Sequence, residues 1–281
     1  MEYKLIAMDL DGTTLLSDGC RMSERVCKAV AEAHRRGATI VIVTGRLFPM
    51  LPPSVRKGTE WGQVCVLGNG GEVRDLKTGT VLAERYMSGS KLLPVVELAR
   101  RLELPVEVFS PEKIYLTQKS WDEVMALNNY LDYHRNYTLK ELGNVVPSLE
   151  KICMTAEGTF IKGVLPLVPS HAEEKVNRVL TKLSLSFAWT GSHTVEISSP
   201  ETTKATGIMW VCRQLNIDLK QVMAIGDDGN DIPLLKAAGL GVAMGTAHQE
   251  VKDAADVVTA SNEEDGVALA IEKYVLHSHD M

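Results

Sequence analysis

The chain has 281 residues, 45% of them hydrophobic and 23% charged, with a formal net charge of -6. That length holds one large domain or two ordinary ones, each able to bury its own core. The composition excludes a disordered chain, no apolar run is long enough to span a bilayer, and the negative balance gives no reason to approach nucleic acid or an anionic membrane.

From the start of the chain, Tyr3-Lys4-Leu5-Ile6-Ala7-Met8 is a short, mostly apolar run that breaks into Asp9-Leu10-Asp11-Gly12, as a buried parallel strand ends in a loop. Ser23 is placed to cap a helix whose apolar positions Val26, Val30 and Ala33 share one face, and Gly37 to stop it. Thr39-Ile40-Val41-Ile42-Val43 is β-branched and suits a central strand; it ends in Thr44-Gly45-Arg46. Strand, helix, strand makes a right-handed parallel unit, and such sheets bind ligands outside the carboxyl ends of their strands, so Asp9 and Thr44 are expected to be neighbours.

Glu72 to Tyr86 reads as a hairpin around Lys77-Thr78-Gly79. Helical stretches near 90–102, 120–134 and 170–183 then alternate with short strands near 105, 115, 152, 187 and 195, the pattern of an inserted α+β domain. The expected division is 1–82 with 196–281 as the core and 83–195 as the insert. After it, Gln221-Val222-Met223-Ala224-Ile225 runs into Gly226-Asp227-Asp228-Gly229-Asn230-Asp231, and Gly239–Met244 and Ala255–Val258 read as further strands. The fold class is α/β, a doubly wound, mostly parallel core sheet of about five strands with helices on both faces. The tail His277-Ser278-His279-Asp280-Met281 holds metal-ligating types but reads as a frayed terminus. The 5 cysteines have no C-x-x-C spacing and read as reduced thiols; with acidic residues soon after the first methionine, a cytoplasmic location is expected. Oligomeric state is not readable from the pattern.

Asp9 and Asp11 fall on one side of a strand end by the period-two rule, and two carboxylates so placed call for a hard dication with oxygen ligands. Asp227 and Asp231, at another strand end, can complete its shell. Solvated loop acids would explain any one of these motifs alone, but not their recurrence at successive strand ends. The glycine positions at Asp9 and Asp227 do not fit an EF-hand, and no G-x-x-x-x-G-K-[ST] phosphate loop occurs.

Asp9-Leu10-Asp11-Gly12-Thr13-Thr14, Thr44-Gly45-Arg46, Lys204 and Gly226-Asp227-Asp228-Gly229-Asn230-Asp231 resemble, in order, the four motifs of the haloacid dehalogenase-like hydrolase superfamily. The resemblance covers the whole chain and is nearest to the Cof-type phosphatases with a C2-type cap. The long interval between Arg46 and Lys204 leaves room for that cap, whereas the short one between Asp11 and Arg46 does not. The resemblance implies a phosphoric monoester hydrolase that uses Mg2+ and acts on a small phosphorylated metabolite, sugar phosphates first. Asp9 would be the nucleophile and Asp11 the general acid and base, Thr44 and Gly45 would donate to the phosphoryl oxygens, and Lys204 would neutralise charge there. Asp9, Asp11 (through its carbonyl) and Asp227 would hold the metal, with Asp231 behind them and Asn230 supporting the phosphate. Leu10, Gly12, Arg46 and Asn69 would line the phosphate or substrate. Two departures stand out: Ala205 replaces a glycine after the lysine, and Pro49, Pro52 and Pro53 interrupt the helix expected after Arg46.

A haloalkanoate dehalogenase uses the first aspartate without the second acid, so the pair Asp9 and Asp11 argues against carbon–halogen chemistry. A phosphomutase or other phosphotransferase could use the same aspartate and metal. A non-catalytic sensor of a phosphorylated ligand would have no use for the nucleophile. Specificity is expected from the cap, with the catalytic groups in the cleft beside it; Trp189 and His193 near its exit read as packing and loop residues.

Overall fold

In the computed structural model, residues 3–56, 60–127, 133–155, 159–191 and 193–277 are described. Residues 278–281 of the tail and 128–132 of the stretch expected to be helical lie outside them. The chain divides into two compact units: Met1–Arg46 with Leu51–Glu84 and Thr203–Met281, and Leu47–Met50 with Arg85–Thr202.

The first unit is built on strands β1 (Leu5–Met8), β2 (Thr39–Val43), β3 (Gly62–Leu67), β4 (Glu72–Asp75), β5 (Val81–Glu84), β6 (Val222–Gly226), β7 (Leu240–Ala243) and β8 (Val257–Val258). They form one sheet in the order β8-β7-β6-β1-β2-β3-β4-β5, parallel from β8 to β3 and antiparallel from β3 to β5. The apolar runs of β1 and β2 are explained by burial on both faces. Leu5, Ala7, Val41 and Val43 pack with Ile208, Val211 and Cys212 of α2 (Lys204–Leu215). Ile6, Met8, Ile40 and Ile42, which point the other way, are buried as well. Helix α1 (Glu24–Arg35) buries Val26, Ala29, Val30 and Ala33, and lies against β2 and α3 (Gly266–Tyr274). The Ser23 hydroxyl accepts from the Val26 N–H at 3.1 Å, as its cap position suggested.

Register sets the site. Met8 stands opposite Ile42 on one side and Ile225 on the other, so Asp9, Thr44 and Asp227 leave their strands at one edge. The expectation that Asp9 and Thr44 are neighbours holds.

The second unit carries a six-stranded sheet in the order Ser186–Thr190, Thr194–Ser198, Lys162–Leu165, Glu107–Phe109, Ile114–Leu116, Gly143–Val145. Val108, Val195 and Ile197 on one face pack with Leu92, Val95 and Ala99 of the helix Gly89–Arg101 and Val176 and Leu180 of the helix Ser170–Lys182.

Three expectations are corrected. The core sheet has eight strands among the described residues and not about five, because β3 pairs beside β2 and the hairpin β4–β5 extends the same sheet. Residues near 152 form the helix Leu149–Met154, whose start is fixed by the Ser148 side chain accepting from the Lys151 N–H. The boundary expected after residue 195 falls inside the strand Thr194–Ser198, whose Val195–Ser198 pair with Lys162–Leu165, and the second unit runs on to Thr202. No helix among the described residues is long and apolar enough to cross a membrane.

Candidate active site

Everything in the site hangs on the carboxyl edge of the first unit's sheet. Asp9 ends β1, its N–H bonded to the Ile225 carbonyl at 3.0 Å. A compact turn over Leu10–Thr14 follows, closed by the Thr14 hydroxyl donating to the Asp9 carbonyl. Gly12 sits in that turn at φ 70°, and a Cβ there would lie 2.2 Å from Asp227 Oδ2. Both the left-handed backbone and the close approach require glycine. Leu10 is wholly buried, so only its main chain could meet a ligand.

Lys204 is the first residue of α2, started by Thr203, whose hydroxyl accepts from Thr206 N–H. Its side chain is 1% exposed and its Nζ lies 2.9 Å from Asp9 Oδ1 and 2.8 Å from Asp231 Oδ1. Burial works against the charge on Lys204, but Asp231 and Asp9 prevail and hold its pKa above the ordinary lysine range. Ala205, the departure from the family pattern, is buried in the core beneath the sheet, where a methyl group packs against apolar neighbours. The other departure, the prolines, leaves only the short turns Phe48–Met50 and Pro53–Arg56 after Arg46.

Asp9, Asp227 and Asp231 each offer a carboxylate oxygen within 4.8 Å of the others. Three carboxylates against one ammonium leave a surplus of about two negative charges in a buried place. The surplus shows in the acids themselves: burial first, then Asp231, pushes Asp227 up to about 7. Asp9 is raised well above the carboxylate range by burial, with Lys204 pulling it down and the acids pushing it up.

An oxygen-only donor set with that surplus fits a hard divalent cation. The hydrogen bonds rank the donors. Asp231 is committed on both oxygens, Oδ1 to Lys204 and Oδ2 to the N–H groups of Asp227 at 3.1 Å and Asp228 at 3.2 Å. Asp9 engages Lys204 through Oδ1, and Asp227 accepts from Thr13 Oγ1 at 2.7 Å through its own Oδ1. The second oxygen of each is uncommitted among the described residues. Asp9 and Asp227 are thus the donors open to a cation, and Asp231 braces them.

The Asp11 carboxylate stands outside this cluster and pairs with Arg46, so only its carbonyl could join a metal shell. Thr44 accepts the Arg46 N–H at 3.1 Å, and its carbonyl receives the Asn69 N–H at 3.1 Å. Asn69, at φ 57°, accepts through its side-chain oxygen from Asn230 Nδ2 at 3.2 Å, which ties the third and fourth loops together. Gly45 is half-buried beside Thr44. Sequence reasoning missed the bracing hydroxyls of Thr13 and Thr14, although both directly follow Gly12. Trp189 packs at the second unit's core and donates to Asn177 Oδ1 at 2.9 Å, and His193 pairs with Glu173, as packing and loop residues do.

The sequence profile of the haloacid dehalogenase-like hydrolases matches residues 6–271. The chain is similar to the 5-amino-6-(5-phospho-D-ribitylamino)uracil phosphatase YcsE of Bacillus subtilis, 30% identical over 98% of this chain and 97% of that one. It also resembles the pyridoxal phosphate phosphatase YbhA of Escherichia coli, 26% identical over 98% of this chain and 100% of that one. A solved haloacid dehalogenase-like hydrolase from B. subtilis superposes with a TM-score of 0.83 at 26% identity, covering 96% of this chain and 99% of that one. With its motifs, its sheet and these matches, the chain belongs to the haloacid dehalogenase-like hydrolase family.

Proposed function

We propose that the protein is a Mg2+-dependent phosphomonoesterase working through an aspartyl phosphate on Asp9. The observation that carries this reading is the buried Asp9 tethered to Lys204, within an acidic cluster whose surplus charge matches a dication. Asp9 and Asp227, with the Asp11 carbonyl, would hold Mg2+, which when bound offsets the negative charge of the site and of the phosphoryl group.

The protein's own groups divide the work. Asp9 attacks phosphorus while Asp11 gives a proton to the leaving oxygen; water then attacks the aspartyl phosphate and gives its proton to Asp11. Lys204, Thr44 Oγ1 and the Gly45 N–H stabilise the phosphoryl oxygens, with Asn230 and Asn69 behind them. Leu10 and Gly12 contribute main-chain groups from the turn. The second unit acts as the cap that selects the leaving group.

Small phosphorylated metabolites are the substrates under this reading. Sugar phosphates lead by the Cof-type resemblance, and the names of YcsE and YbhA add a ribitylaminouracil phosphate and pyridoxal phosphate. Five free cysteines suit a reducing, cytoplasmic setting. The test is phosphate release from these three classes and an aryl phosphate, with Mg2+ and with EDTA. Release that needs the cation supports the proposal; no release from any ester refutes it, and an isomeric sugar phosphate in place of inorganic phosphate would make the enzyme a mutase.

A further inference from the structure

Arg46 offers an unusual arrangement for a residue expected to meet substrate. Its side chain is 5% exposed, and its guanidinium is turned onto Asp11 in two parallel bonds, Nε to Oδ2 at 2.8 Å and Nη2 to Oδ1 at 2.6 Å. The same Nη2 donates to the Gly19 carbonyl at 2.8 Å. Its main chain is fixed too, with the N–H on Thr44 Oγ1 at 3.1 Å and the carbonyl receiving Gly68 N–H at 3.0 Å.

The far anchor is itself held. Gly19 sits at φ 67°, its N–H bonded to the Leu16 carbonyl at 2.9 Å, and the next carbonyl, that of Cys20, accepts from Ser54 Oγ at 2.7 Å. The loop before it is fastened by Glu263, which accepts from the Ser17 N–H at 2.7 Å. Asp11 projects from the turn whose path is set by Gly12 against Asp227, so its carboxylate is located by that turn at one end and by Arg46 at the other. Asp11 keeps 34% of its side chain exposed, whereas Arg46 is sunk behind it.

We propose that Arg46 is a positioning residue for Asp11, fixing where the carboxylate stands, and not a grip on the phosphoryl group. The inference rests on the phosphatase reading. In the first half-reaction the bond from phosphorus to the leaving oxygen breaks as the bond to Asp9 forms, and the leaving oxygen takes its proton from Asp11. A poor alkoxide leaving group needs that proton; a nitrophenolate leaves without it. Displacement of Asp11 therefore slows attack on an alkyl phosphate and spares attack on a nitrophenyl phosphate.

The experiment compares first-turnover rates of Arg46→Ala and Arg46→Lys on a hexose phosphate and on p-nitrophenyl phosphate. Lysine keeps the charge but replaces the fork with a single point, which keeps the test decisive should alanine unfold the chain. The expected result is a first turnover of the hexose phosphate slower by about 100-fold, beside an unchanged burst of nitrophenolate. The double variant with Asp11→Asn should be no slower than Asp11→Asn alone. Equal losses on both esters, weaker binding of both, additivity with Asp11→Asn, or full hexose phosphate turnover in both variants would overturn the assignment. Failure of the phosphatase reading looks different: the unaltered enzyme itself would give neither burst nor phosphate.

Discussion

Adding a divalent cation should stabilise the protein far more at alkaline than at acid pH. Asp227 is pushed from an ordinary 3.8 to about 7 by burial and by Asp231. A group with a raised folded pKa contributes stability that is complete below its unfolded pKa and is lost as pH rises through the folded one. The cation-free protein should therefore weaken from about pH 4 to about pH 7, by on the order of 4 kcal/mol for a shift of that size. Asp9, raised in the same direction, adds to the trend. A dication removes the cost above pH 7 but must displace a proton at pH 5, and at about 2–4 °C per kcal/mol the gain in Tm should differ by several degrees between those conditions. Scanning calorimetry with Mg2+ or EDTA at about pH 5 and about pH 8 measures it, and Asp227→Asn should abolish most of the difference. Equal gains at both pH values, or a larger gain in acid, would refute the reasoning.

Lys204→Met leaves Asp9 and Asp231 facing each other without their shared ammonium. Phosphate release should fall by about 100-fold or more and denaturant stability by about 3–5 kcal/mol; near-normal activity would count against the role of Lys204. Gly12→Ala should cost about 1–2 kcal/mol from the left-handed backbone and, by driving Asp227 aside, weaken Mg2+ binding in a protein that still folds. A titration of Tm against Mg2+ would show an unshifted midpoint if the close approach is unimportant.

The core strands were legible where local pattern and burial agree. β1, β2 and β6 are apolar runs ending abruptly in polar loops, and a sheet covered on both faces leaves no other reading. β3 carries a weak signal because it opens on Gly62 and Gln63 after a proline-rich stretch, and its run of consecutive buried side chains is only Cys65 to Leu67. The helix Leu149–Met154 was mistaken because Ile152 suggests a strand, although the Ser148 cap was present in the sequence. In the site, the acids and Lys204 could be named from their motifs. Their division of labour could not: that Asp231 gives one oxygen to Lys204, and that Asp11 faces Arg46, are contacts between residues 27 and 35 positions apart. Such pairings are set by the sheet order, which no local pattern carries.

The most direct test of Asp9 as nucleophile is to quench a reacting sample with a turned-over ester in acid and weigh the peptide that contains Asp9. The expected result is a peptide heavier by one phosphoryl group in the unaltered protein, and neither that species nor phosphate release in Asp9→Asn. Phosphate released without the heavier peptide, and retained in Asp9→Asn, would mean that water attacks the ester directly, and would contradict the aspartyl phosphate.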